Sequence, residues 1–118
     1  MSDFGSFIRK RREELQLQEP VRYSLRKIAS AIDIEPSYLS KIERGQQPPP
    51  GEETIKALAR ELDEDPEVLL ALAGKVSQDL RKIICTRPKL FAQLIRELKD
   101  VPDHAVLRIV REVRDGNW

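Results

Sequence analysis

The stretch Leu25-Arg26-Lys27-Ile28-Ala29-Ser30-Ala31-Ile32-Asp33-Ile34-Glu35-Pro36-Ser37-Tyr38-Leu39-Ser40-Lys41-Ile42-Glu43 carries two apolar rows separated by a reversal. Ile28, Ala29 and Ile32 recur at the three- and four-residue spacing of one helix, and Leu39 and Ile42 at that of a second. Ser24, just upstream, offers a side-chain oxygen to the free amides of the first helix. The pair Glu35-Pro36 starts the second, where the missing proline amide costs nothing. Asp33 and Ile34 make the turn between them, and Ala29 is small enough for the two backbones to cross closely. Gly45 ends the second helix in the left-handed conformation open to glycine.

Working outward, Phe4, Phe7, Ile8, Arg11 or Arg12 and Leu15 fall in register and predict a helix from about Asp3 to Leu17. Pro20 in the loop Gln18-Glu19-Pro20-Val21 ends it. Downstream, Pro48-Pro49-Pro50-Gly51 is a rigid connection to a helix over Glu52 to Leu62, with Ile55, Leu58, Ala59 and Leu62 inward. Asp65-Pro66 opens a short helix with Val68, Leu69 and Leu72 inward, closed by Gly74. Beyond lie Ser77 to Cys85, Pro88 to Leu98, and a last segment from Pro102 with Val106, Ile109, Val110 and Val113. With few aromatic residues and no hairpin signal between alternating strands, the expected class is all-α. A five-helix unit over residues 1–75 is followed by a helical extension over 76–118, with a soft boundary near Gly74 to Val76 and no low-complexity linker.

Composition excludes several classes of function. The chain has 118 residues, enough for one core with a small appendage, and is 35% charged and 40% hydrophobic, which reads as soluble and globular. No apolar run approaches the roughly 18 residues of a membrane span, and no signal-peptide core follows Met1, so a cytoplasmic protein is expected. One cysteine, Cys85, and one histidine, His104, leave neither a disulfide nor a metal cluster, and no cofactor is expected. No nucleophile has a base beside it in sequence, and there is no phosphate-cradling loop, so the chain is not expected to be an enzyme. Lys and Arg number 21 against 20 Asp and Glu, a net charge of +1 that by itself does not suggest nucleic acid. The balance conceals a polarity: residues 1–51 hold nine basic and seven acidic residues, and residues 52–118 twelve and thirteen. Arg26, Lys27, Lys41 and Arg44 can form a basic face while Glu61, Asp63, Glu64 and Asp65 sit elsewhere.

Two short helices at this spacing form a helix-turn-helix, whose second helix has the right width for the DNA major groove. The outward positions of that helix are Ser37, Tyr38, Ser40, Lys41 and Arg44, nearly all able to hydrogen-bond.

The run Pro36-Ser37-Tyr38-Leu39-Ser40-Lys41-Ile42-Glu43-Arg44-Gly45, with Arg9 and Arg12 upstream and Pro50 to Ala59 downstream, resembles the Xre family of bacterial and phage repressors. The resemblance covers roughly residues 4–74 and implies the lambda-repressor-like five-helix fold. It places Pro36, Ser37 and Lys41 at base edges and Tyr38, Arg44 and Gln46 on the phosphate backbone, with Ser40 beside them on the reading helix. It matches Arg12 and Glu43 to a structural ion pair. Three departures stand out. Asp33 occupies the usual glycine of the turn. Leu25 stands where a phosphate-holding glutamine is usual, leaving Arg26 or Lys27 to supply that contact. Leu17 to Tyr23 exceeds the usual first connection; Arg22 and Tyr23 either reach the DNA backbone or belong to a longer surface loop, the reading preferred here.

Other features read blandly. The run Arg9-Lys10-Arg11-Arg12 points in four directions on a helix and is expected to be solvated except at Arg12. Cys85, beside Ile83 and Ile84, reads as a small core residue, and His104 as exposed. The apolar stripes after residue 75 need a covering surface, and a second copy is favoured, since paired reading helices about 34 Å apart suit a palindrome. Leu90, Phe91, Leu94, Ile95, Val106, Ile109 and Val110 are the candidate dimer interface. The expected function is a dimeric, sequence-specific repressor that binds double-stranded DNA. The alternatives are an antitoxin of the same fold that holds a toxin protein through its C-terminal half, and a protein-interaction module that has lost DNA binding.

Overall fold

The computed structural model describes residues 3–116 and 118. Among these the chain is all-helical, in the order α1 (Asp3–Gln16), α2 (Leu25–Ala31), α3 (Pro36–Glu43), α4 (Glu52–Glu61), α5 (Pro66–Leu72), α6 (Gln78–Thr86), α7 (Pro88–Leu98) and α8 (Asp103–Asp115). Contacts divide it into two compact units, Met1–Ser77 and Gln78–Trp118. The division falls two residues beyond the expected boundary because residues 75 and 77 are tied back into the first unit. Lys75 Nζ donates to the Pro50 carbonyl at 2.8 Å, and buried Ser77 donates to Glu67 at 3.3 Å.

In the first unit α3 packs on α1 and α2, α4 on α2 and α5, and α5 on α1. Phe4 and Ile8 of α1, Ile28 and Ala29 of α2, Leu39 and Ile42 of α3, and Ile55, Leu58 and Ala59 of α4 share one core with Leu62, Leu69 and Leu70. The spacing in α5 is shifted by one position from expectation. Leu69 and Leu70 are buried while Val68 is exposed and Leu72 half-buried, because the helix turns its Leu-Leu pair, rather than Val68, toward α4.

Helix ends follow local chemistry. Ser24 caps α2 by accepting from the Lys27 amide at 3.2 Å, and Asp65 caps α5 by accepting from the Glu67 amide at 2.9 Å. Each of α2 to α5 closes in the same reversal, in which the amide two residues past the last cap position bonds a carbonyl five residues back. These bonds are Ile34 to Ala29 at 3.0 Å, Gln46 to Lys41 at 2.8 Å, Glu64 to Ala59 at 2.9 Å and Lys75 to Leu70 at 2.8 Å. The motif requires one left-handed residue per helix. Gly45 and Gly74 supply it in α3 and α5, and Asp33 (φ 61°) and Asp63 (φ 53°) in α2 and α4. Asp33 therefore takes the conformation that glycine would adopt.

In the second unit α7 packs against α6. None of the described residues of α6, α7 or α8 is buried. Cys85, expected in a core, is exposed, because this unit forms no buried core in a single chain.

Candidate nucleic-acid interface

Helix α3 is held from behind and open in front. Glu35 is extended (φ −71°, ψ 139°), Pro36 takes the first helical position, and Leu39 and Ile42 turn fully inward. Ser37, Lys41, Arg44 and Gln46 are exposed, while Pro36, Tyr38 and Ser40 are half-buried. Tyr38 packs partly against the core, which leaves its rim for any partner. Arg44 lies along its own helix, with Nε donating to the Ser40 carbonyl at 3.3 Å.

On α2, Arg26 and Lys27 are both exposed but face different surroundings. Arg26 lines a groove with Ser30, Asp33, Ile34, Glu35, Pro36 and Tyr38, on the side of α3. Lys27 lines another with Glu19, Pro20, Val21 and Arg22, beneath the long connection. Leu25 packs partly against the core.

One arginine positions this surface. Arg12 donates to both oxygens of Glu43, through Nε at 2.7 Å and Nη2 at 2.9 Å, and its Nη1 donates to the Tyr23 carbonyl at 3.2 Å and to Gln16 Oε1 at 3.3 Å. Both members of the pair are buried, so the cost of desolvation is met by the two-pronged geometry and by filling the remaining donors. The bond to Glu43 raises the Arg12 pKa above its ordinary value, against the opposing effect of burial. No buried side-chain nitrogen or oxygen lacks a partner among the described residues.

Arg11 departs from the solvated expectation. Its Nε donates to the Leu62 carbonyl at 3.0 Å and meets Glu64 Oε1 at 3.2 Å, so it satisfies the exposed end of α4. Tyr23 also departs from both readings of its segment: it is buried in the core, with the Arg22 guanidinium 5.0 Å above its ring. The signal for Tyr23 was its position immediately before the Ser24 cap, where a hydrophobic residue packs back onto the helix it precedes.

Compared with known protein families, residues 3–72 match the family described as "Helix-turn-helix domain". The chain belongs to the helix-turn-helix domain family. Its five-helix unit is thus a DNA-binding helix-turn-helix domain, with α2 and α3 as the paired helices. No match was found among curated proteins or among solved structures.

Outside the helix-turn-helix domain, Leu90, Leu94, Ile95, Ile109 and Val110 are exposed, while Phe91 and Val106 are half-buried. Among the described residues there is no cluster of His, Cys, Asp and Glu able to hold a metal ion, and His104 is exposed. No described helix is long and apolar enough to cross a membrane.

Proposed function

We propose that the chain is a sequence-specific transcriptional regulator of the Xre type, a dimeric repressor that occludes a promoter by placing two α3 helices in successive major grooves of a palindromic operator. One observation carries this reading: α3 is anchored by Leu39, Ile42 and Glu43, while its outer face offers Ser37 and Lys41. In this reading Pro36, Ser37 and Lys41 read base edges. Tyr38, Ser40, Arg44 and Gln46 flank them on the backbone, and Arg26 adds a phosphate contact from the shared groove. Lys27 is the weaker candidate for that contact, because it faces the long connection.

Residues 76–118 are the proposed dimerisation region. Support comes from the exposed apolar side chains of α7 and α8, among them Leu90, 64% exposed, and Val113, 60%. The same exposure suits a toxin or other protein partner, which is the second reading. In vitro selection of bound DNA tests the first: an enriched palindrome is expected, and failure to enrich any sequence would overturn it. A complex of fixed stoichiometry with a different small protein, in place of a homodimer, would favour the second.

A further inference from the structure

We propose that the carboxylate of Glu35 is a specificity-determining group that accepts a hydrogen bond from the exocyclic amino group of cytosine in the major groove. The inference rests on the DNA-reading role given to α3 above. Glu35 occupies the capping position of that helix, yet its side chain makes no capping bond. In the same unit α2 and α5 use Ser24 and Asp65 there, and both side chains bond a backbone amide, while α4 starts after Gly51, which has no side chain to cap it. Serine, threonine, aspartate and asparagine stabilise this position, whereas glutamate is too long to fold back onto it. On α3 the chain thus places a charged side chain, free of a capping bond, at the position where a cap would serve, and departures from local preference concentrate at functional positions.

Glu35 is exposed, and no ion pair involves it among the described residues. Glu35 lines the groove that Arg26, Asp33, Pro36 and Tyr38 also line. An ionised carboxylate only accepts hydrogen bonds. Guanine presents two acceptors in the major groove and thymine an acceptor and a methyl group, so both repel it. Adenine sets an acceptor beside its amino group, and cytosine alone offers an amino group with no acceptor of its own there. The same negative charge works against phosphate attraction at random sites, which sharpens discrimination in a chain with a net charge of only +1.

The test uses the full chain as wild type, Glu35→Gln and Glu35→Ser, with selection from random duplexes and competition on base-substituted sites. The wild type is expected to enrich cytosine at one position in each half-site. Both variants should lose about tenfold of that preference and keep the rest of the consensus. Glu35→Ser should also melt several degrees higher, since it restores a cap, so a folding defect does not explain its loss. An unchanged base profile in both variants, or a loss at a position that is not cytosine, would overturn the role of Glu35 while leaving the reading of α3 intact. A wild type that enriches no sequence would instead overturn that reading.

Discussion

The guanidinium of Arg12 and the carboxylate of Glu43 meet in two parallel hydrogen bonds of 2.7 and 2.9 Å, with side chains 8% and 4% exposed. The bond joins the C-terminal half of α1 to the last residue of α3, so the orientation of α3 depends on a charge pair rather than on apolar packing alone.

Removing one partner leaves the other charge buried without its counterpart. Glu43→Gln or Arg12→Ala is expected to cost about 3–5 kcal/mol in chemical denaturation, and joint replacement of both by Met to cost less than either single change. Because the Arg12 pKa is raised by the ionised Glu43, its contribution is present at neutral pH and, on the alkaline side, is lost only as pH rises above the ordinary guanidinium value. Alkaline titration across the neutral range should therefore leave stability unaffected by this group.

Gly5 is a second point of close approach between α1 and α3. A Cβ there would run into the carbonyl of Ile42 and sit 3.0 Å from that of Glu43. These are backbone atoms, which cannot rotate away as a side chain would. Gly5→Ala is expected to lower stability by about 1–3 kcal/mol despite alanine's better helix propensity, measured by urea unfolding. Unchanged stability would show that α1 can shift without loss.

Asp33 and Asp63 hold left-handed conformations at helix ends where Gly45 and Gly74 hold the equivalent ones. Glycine relieves that backbone cost at the expense of a freer unfolded chain. Each of Asp33→Gly and Asp63→Gly is expected to gain about 0.5–1 kcal/mol, read as a rise in Tm. Asp63→Gly is the cleaner test, since the bond from Arg11 in this turn goes to the carbonyl of residue 63 and survives the change.

In the proposed function Lys41 reads a base edge and Arg44 grips phosphate. Lys41→Ala is expected to cost about 1–3 kcal/mol on the selected operator and to relax base preference. Arg44→Ala should weaken cognate and random DNA alike and reduce the salt slope by about one. Equal losses on both kinds of DNA for Lys41→Ala would remove its reading role.

The exposed face of α7 gives a test of assembly. Leu94→Glu places a charge among Leu90, Phe91 and Ile95, and light scattering at micromolar concentration should then show a monomer where the wild type is a dimer. A wild-type monomer, or a variant that remains dimeric, would remove this surface from the assembly.

The helices of the first unit were legible because their signals are local. Proline at first positions, a serine and an aspartate cap, glycine ends and apolar rows each act within a few residues. The pairing of Arg12 with Glu43 came from resemblance and not from periodicity. Arg11 was missed because its partner is a backbone carbonyl 51 residues away, which no side-chain pattern records. Tyr23 was assigned to the surface because its burial depends on how α1 and α2 close over it. Gly5 carries no periodic signal, since its role lies in what its missing side chain would strike. The α5 face was misjudged because Val68, Leu69 and Leu70 are contiguous, and a seven-residue helix offers too few turns to choose among them. Cys85 was placed by its neighbours Ile83 and Ile84, a reasonable inference only for a unit with a core of its own.

The connection between α1 and α2 is held at its neck. Gln16 and Tyr23, at its two ends, both bond Arg12, and Gln16 Nε2 donates to the Pro20 carbonyl at 3.3 Å. Between these ties Leu17 is 86% and Val21 72% exposed, so the intervening residues carry little of the packing. Their number can change while both ends of the loop stay fixed, and α2 and α3 need not move with it. This makes residues 17–22 the natural place to graft a reporter or an affinity tag, because an insertion there is decoupled from α3.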